Sequence, residues 1–139
     1  MTRDEIETFL LAEFPQVFST HEIAVVEAAA GRAAITLRPG EVHLRPGAVI
    51  SGPTIMMLAD AAAYVALLSL GPQAKMAVTS NLNMSFLRAG RLGGEIVQSA
   101  EVLKPGRRLS VILAETRDGA GNVLAHATMT YAMPEAAPR

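Results

Sequence analysis

The chain has 139 residues, half of them hydrophobic and only 4% aromatic, which suits a single domain, residues 1–139, with a core of aliphatic side chains and alanine. Its net charge of −1 argues against nucleic-acid binding, and the absence of cysteine excludes disulfides, thiolate zinc sites and cysteine nucleophiles. Charged residues make up 18% of the chain. This is less than the roughly 25% typical of soluble domains, which suggests that another subunit covers part of the surface.

An N-terminal helix is predicted over residues 1–15. Thr2 and Glu5 fit a capping box, the apolar residues that follow recur at helical spacing, and Pro15 ends the pattern. The acidic side chains near this start differ from the basic and apolar beginning of a secretory signal, so a cytoplasmic location is expected.

The hydrophobic period then changes to two, which predicts short strands at residues 23–26 and 33–37. After a loop, a long apolar helix follows, which Ser51 can cap and Gly71 stops. In a bilayer, the carboxylate of Asp60 near its centre would cost roughly 2.5–3.5 kcal/mol. We therefore expect a helix that is buried inside the protein and not a membrane span.

The second half of the chain reads as four strands joined by turns, which predicts an antiparallel meander followed by a frayed tail at residues 134–139. The predicted strands are residues 76–86, 95–103, 108–116 and 123–133. A helix that is apolar on every side must be covered on every side. The sequence therefore predicts an α+β fold in which a curved antiparallel sheet wraps a long central helix, and a second copy covers the helix face that stays open.

Asp60 is the only charged residue of the apolar helix, and its face also carries Met56, Met57 and Tyr64. A lone carboxylate on an apolar face is costly unless a reaction uses it or a partner neutralises it. Two interpretations stay open: a catalytic carboxylate, or a structural one that caps a turn or pairs with an arginine.

The start of this helix, Ser51-Gly52-Pro53, is a candidate oxyanion site. Free N–H groups and the helix dipole favour negative charge there, as on the oxygen of a reacting thioester carbonyl. The alternative is that these residues simply form a flexible, capped entry to the helix.

The spacing of Gly52 and Asp60 restricts how both residues act on one substrate. They are eight positions apart, or about 12 Å along a helix axis, which is too far for one carbonyl carbon. If both act, they come from different subunits of a two-fold dimer with antiparallel helices.

The run from Ser51 to Asp60 resembles the His-Gly-Gly-x4-Leu-Ala-Asp signature of the phenylacetate-pathway (PaaI-type) hotdog thioesterases, and residues 78–87 resemble the strand that follows in that family. The resemblance covers roughly residues 20–133 and implies a hotdog fold that hydrolyses acyl-coenzyme A. It assigns the catalytic carboxylate to Asp60, the oxyanion-binding N–H to Gly52 and a hydroxyl that places water or carboxylate to Thr79.

Two departures from that signature concern the oxyanion site. Ser51 stands at the position of the motif histidine, and Pro53 replaces the second glycine and removes one N–H donor. They bear on the composition of the oxyanion site and the substrate range, and they leave room for lost activity.

Substrate binding is assigned to residues of the helix, the following strand and two turns. Methionines suggest a channel for an apolar acyl or aryl group, and arginines suit the phosphates of coenzyme A, although solvated turn charges are an equal alternative. The predicted binding residues are Ser51, Pro53, Met56, Met57, Asn81, Arg88, Arg107 and Arg108.

We therefore predict an acyl-coenzyme A thioesterase that acts as a homodimer or homotetramer, with no metal, no cofactor beyond the substrate's coenzyme A, and no nucleic-acid or membrane partner. A non-catalytic acyl-coenzyme A binding module is the second interpretation. A hotdog dehydratase is the third, on the strength of His43 alone, and it is disfavoured because its helix acid would fall near Met57. His21 and His126 carry no partner pattern.

Overall fold

The computed structural model describes residues 1–135. Its helices are α1 (Arg3–Glu13), α2 (Pro15–Phe18) and α3 (Gly52–Leu68), with 3₁₀ turns at Glu41–His43 and Pro72–Met76. Its strands are β1 (Ala24–Ala29), β2 (Arg32–Leu37), β3 (Leu44–Arg45), β4 (Val49–Ile50), β5 (Val78–Phe86), β6 (Ile96–Lys104), β7 (Leu109–Arg117) and β8 (Val123–Ala132). Pro134 and Glu135 belong to no helix or strand, and the rest of the predicted frayed tail, residues 136–139, lies outside the described residues.

The main sheet is antiparallel, with the strand order β1-β2-β6-β7-β8-β5. The predicted meander is correct for β6, β7 and β8 but wrong for β5, which pairs with β8 at the sheet edge. The segment after β5 is therefore a crossing and not a hairpin turn. It spans three strand spacings, roughly 14 Å, which its nine residues (87–95) can easily cover.

Helix α3 is the centre of the fold, as predicted. It contacts all six strands of the main sheet, so the sheet curves around it. Most of its side chains are buried, including a run of small residues, Ala61, Ala62 and Ala63, that lets strand and helix backbones approach closely. Met56 is 41% exposed and marks the side of α3 that the sheet leaves open. Within residues 1–135, no helix is long and apolar enough to cross a membrane.

The N-terminal segment packs onto this core through Ile6, Leu10 and Phe18. The predicted capping box is present, because Thr2 Oγ1 accepts from the Glu5 N–H and the Glu5 carboxylate accepts from the Thr2 N–H, both at 3.2 Å. At its other end α1 stops at Glu13, just ahead of Pro15, as predicted. Pro15 then starts the separate short helix α2, where a missing N–H costs no helical hydrogen bond.

Candidate active site

Asp60 lies half-buried in the middle of α3, with two hydroxyl groups on the same oxygen of its carboxylate. Thr79 Oγ1 donates to Oδ1, and the Tyr131 hydroxyl lies 2.6 Å from Oδ1 and 2.8 Å from the Asp60 carbonyl oxygen. No arginine, lysine or histidine among residues 1–135 forms an ion pair with Asp60. The arginine-paired alternative is therefore wrong for the described chain.

Sheet register positions these two hydroxyls. Thr79 on β5 is the direct cross-strand partner of Tyr131 on β8, and both side chains point towards α3. Tyr131 was not predicted from the sequence. Its only sequence signal is an inward position on the last strand of a chain that has two tyrosines.

Tyr131 is suited to act as a hydrogen-bond donor. It is 3% exposed, and this burial, together with the neighbouring Asp60 carboxylate, raises the pKa of its hydroxyl well above the usual range. The hydroxyl therefore keeps its proton at any physiological pH and can donate a hydrogen bond to the Asp60 carboxylate.

Asn81 is not brought to Asp60, although simple alternation along β5 predicts that it shares a face with Thr79. A β-bulge between Thr79 and Asn81 adds one residue and reverses the parity of the strand. Asn81 consequently faces Thr130 on the outer side of the sheet, and Leu82 takes the next inward position opposite Met129.

A cavity of about 320 Å³ opens beside the Asp60 carboxylate. Of the two helix methionines predicted to line a channel, Met57 lines this cavity, whereas Met56 points outward and does not. The full lining is Phe9, Glu13, Phe14, Val17, Met57, Asp60, Ala61, Tyr64, Ala77, Val78, Thr79 and Tyr131. The lining is mostly apolar, and the Asp60 carboxylate with its two hydroxyl donors lies on one side of it, which suits an apolar group attached to a reactive carbonyl.

The start of α3 is built as an N-cap. Ser51 Oγ accepts from the Thr54 N–H at 3.2 Å, and the Ser51 N–H donates to the His43 carbonyl at 2.8 Å. Gly52 is the first helical residue, where no intrahelical acceptor exists for its N–H. The same helix carries Gly52 and Asp60, so within one protomer they remain about 12 Å apart along the axis.

The predicted arginines do not form one cluster. Arg88 follows β5, donates to Asn122 Oδ1 at 3.1 Å and lines a cavity of about 530 Å³ with Arg91 and Asp118. Arg107 and Arg108 lie in the β6–β7 turn at the opposite end of the sheet, where Arg107 lines a separate cavity near the C-terminal end of α3. Successive turns of antiparallel strands alternate between the two ends of a sheet, so Arg88 and Arg107 cannot bind the same phosphates within one protomer.

His43 lies outside the Asp60 pocket. Its Nδ1 accepts from the Gly40 N–H and its Nε2 lies 2.9 Å from His21 Nδ1. Burial, and secondarily the charge of His21, lowers the pKa of His43. This histidine pair supports the loop that enters α3, which removes the main argument for dehydratase chemistry. Within residues 1–135, no three His, Asp or Glu side chains are grouped as metal ligands.

The chain was compared with family models, curated proteins and solved structures. The family model described as "Thioesterase superfamily" matches residues 47–125, more than half of the chain, and includes both Asp60 and Thr79. No match was found among curated proteins.

Three solved structures superimpose over nearly the whole chain. Zebrafish thioesterase superfamily member 2 is 23% identical, with a TM-score of 0.85, over 96% of this chain and 99% of that one. The E. coli PaaI protein from the phenylacetic acid degradation operon is 21% identical, with a TM-score of 0.84, over 95% and 94%. A hypothetical thioesterase with coenzyme A from Streptococcus pneumoniae is 19% identical, with a TM-score of 0.82, over 93% and 99%. These likenesses confirm the predicted hotdog fold.

Proposed function

The chain belongs to the thioesterase superfamily, and we propose that it hydrolyses an acyl-coenzyme A thioester in the pocket beside Asp60. The observation that carries this proposal is the environment of the Asp60 carboxylate. Two hydroxyl donors hold one of its oxygens, an apolar pocket lies next to it, and no cation of residues 1–135 neutralises it. A carboxylate in such surroundings is suited to act as a general base or as a nucleophile.

The two carboxylate oxygens have different roles in this mechanism. Oδ1 accepts from Thr79 and Tyr131, which fixes the plane of the carboxylate. Oδ2 is left to take a proton from water while the water oxygen attacks the thioester carbonyl carbon. The C–S bond then breaks, the proton held by Asp60 passes to the leaving sulfur, and the products are the free acid and coenzyme A thiol. Direct attack by Oδ2, with water cleaving the resulting anhydride, gives the same products.

The developing oxyanion needs a donor from a second subunit. We assign this role to the N–H of Gly52 of the partner subunit, because a single α3 helix holds its own Gly52 too far from Asp60. The open side of α3 around Met56 and the unpaired outer edge of β5 are surfaces that a second copy would cover. A two-fold dimer then contains two identical sites.

The residues that depart from the family signature at the start of α3 leave few N–H donors for the oxyanion. Pro53 has no N–H, and the Ser51 hydroxyl already caps α3 through Thr54. In this proposal the oxyanion site therefore depends on the single N–H of Gly52.

Coenzyme A phosphates are assigned to Arg88, with Arg91 beside it. The loop that carries them is attached to the start of α3, since the Ile50 N–H donates to the Gly90 carbonyl at 2.8 Å. The Streptococcus pneumoniae relative with coenzyme A supports a ligand of this class. Arg107 and Arg108, at the other end of the sheet, are the competing assignment. The reaction requires no cofactor beyond the coenzyme A of the substrate.

The test compares the wild type with Asp60→Asn on a panel of acyl- and aryl-coenzyme A thioesters. Hydrolysis is measured as the release of free thiol. We expect turnover that collapses in the variant while sedimentation shows an unchanged dimer. The small donor set at Gly52 favours one alternative, a non-catalytic acyl-coenzyme A binding module. Binding of the panel with no turnover on any member would establish that alternative and overturn the proposed hydrolase.

A further inference from the structure

One wall of the Asp60 pocket is built by the N-terminal helices. Phe9 and Glu13 come from α1, Phe14 follows it, and Val17 comes from α2. All four precede residue 47, where the match to the superfamily begins. The family model thus covers Asp60, Thr79 and most of the pocket lining, whereas the first 18 residues supply one further wall.

Aromatic contacts hold this wall in place. The Tyr64 ring lies 6.4 Å from Phe9 and 6.5 Å from Phe14, centre to centre, and Phe14 lies 6.0 Å from the buried Phe18. Tilted and edge-to-face rings at such distances attract one another. The wall is therefore tied both to α3 and to the core.

A hydrogen bond and a cation–π contact also restrain this wall. The Tyr64 hydroxyl donates to the Lys75 carbonyl oxygen at 2.5 Å, and Lys75 Nζ lies 4.9 Å from the centre of the Phe9 ring. Rings that are restrained in this way form a pocket whose size is set before a substrate binds.

The volume of the pocket limits what it can hold. At about 320 Å³, it is roughly twice the 150 Å³ cavity that accommodates benzene in other proteins. At the volume per carbon that benzene needs, a ring or a chain of up to about ten carbons fits in this space, whereas a chain of about fourteen carbons exceeds it. The exposed carboxylate of Glu13 also lines the pocket and would repel a second carboxylate.

Resting on the proposed thioesterase function, we propose that α1 and α2 are the specificity element of this protein. Phe9, Phe14 and Val17 restrict the acyl group to compact, uncharged, apolar structures. Glu13 excludes acyl groups that end in a carboxylate.

The size limit is tested with acetyl-, hexanoyl-, benzoyl- and myristoyl-coenzyme A. In the wild type we expect higher kcat/KM for hexanoyl and benzoyl than for myristoyl. Phe9→Ala, which enlarges the pocket, should raise the myristoyl-to-hexanoyl ratio by about tenfold or more, in line with the discrimination that apolar pockets achieve. Val17→Phe, which fills the pocket, should shift the preference towards acetyl. Leu11→Ala is the matched control, because Leu11 is an apolar residue of α1 that is 48% exposed and lines no part of the pocket.

The charge limit is tested with succinyl- against butyryl-coenzyme A. Glu13→Gln should raise the succinyl-to-butyryl ratio several-fold and leave the hexanoyl-to-myristoyl ratio unchanged. Equal succinyl-to-butyryl ratios in the wild type and Glu13→Gln would contradict the proposed role of the Glu13 charge.

Binding of non-hydrolysable thioether analogues, measured by calorimetry, separates this inference from the proposed activity. If the thioesters are not turned over but Phe9→Ala still shifts the analogue preference towards myristoyl, the hydrolase assignment fails and the specificity element stands. If Phe9→Ala and Leu11→Ala give the same ratios in hydrolysis and in binding, the specificity element is overturned.

Discussion

Thr79 and Tyr131 are direct partners across β5 and β8, and their hydroxyl groups converge on the same carboxylate oxygen of Asp60. The pairing is a consequence of sheet register, so strand positions, and not a local motif, orient the carboxylate. Tyr131 also reaches the Asp60 carbonyl oxygen at 2.8 Å, which ties the side chain and the backbone of α3 to the last strand.

Tyr131→Phe should lower kcat by about 10- to 100-fold, because a hydrogen bond to a charged group contributes about 1.5–3 kcal/mol. Steady-state kinetics of the wild type and the variant check this loss. Tyr64→Phe is the matched control, because Tyr64 lines the same pocket but its hydroxyl donates to the Lys75 carbonyl oxygen. An unchanged kcat in Tyr131→Phe, or an equal loss of kcat in Tyr64→Phe, would contradict this role of Tyr131.

Thr79→Val should reduce kcat by a similar factor, and Thr79→Ser should restore most of it because the hydroxyl returns. The double variant with Tyr131→Phe should not show additive losses, since both donors act on one oxygen, and neighbouring groups couple by about 0.5–3 kcal/mol. A double-mutant cycle on kcat/KM measures this coupling. Strict additivity would mean that the two hydroxyls act independently of the shared Asp60 oxygen.

Much of this arrangement could be predicted from local sequence. The capping box at Thr2, the N-cap at Ser51 and the apolar helix around Asp60 depend on residues within one or two turns, and all three are present. The pairing of β5 with β8 and the bulge after Thr79 depend on contacts between distant strands, which periodicity does not encode. The outward position of Asn81 and the omission of Tyr131 have this common cause.

The buried His43 should make stability depend on pH. Its pKa is lowered from the ordinary value of 6.5, first by burial and then by His21, so the folded state binds fewer protons at this position than the unfolded state. The stabilisation from the neutral ring is complete above pH 6.5. It is lost as the pH falls below 6.5 towards the lowered pKa of the folded state. Urea unfolding between pH 5 and 7.5 should show a falling free energy of unfolding on the acidic side.

The control for this prediction uses a second histidine. His43→Gln should flatten the pH dependence in that window, whereas His126→Gln, on the exposed outer face of β8, should leave it as in the wild type. A wild-type profile that stays flat below pH 6.5 would contradict the prediction.

Mixing two inactive variants tests the shared site. Gly52→Pro removes the N–H proposed to bind the oxyanion, and the Cβ that it adds would lie 3.4 Å from the Phe86 ring, at van der Waals contact. Proline is accepted at the first helical position, and Ser51 before it already has the extended geometry, with φ −69° and ψ 148°, that a following proline requires. Asp60→Asn removes the carboxylate. If each site takes Asp60 from one subunit and Gly52 from the other, a mixed dimer contains one intact site and one doubly altered site.

Random reassociation of equal amounts makes half of the dimers mixed, so activity should return to about a quarter of the wild-type value. The control is a mixture of Asp60→Asn with Asp60→Asn,Gly52→Pro, in which no intact site can form. Recovery in the first mixture alone would establish that Gly52 and Asp60 act across the subunit boundary. Differently tagged subunits verify that exchange has taken place. A mixture that stays inactive after verified exchange would contradict the assignment of the oxyanion site to Gly52 of the partner subunit.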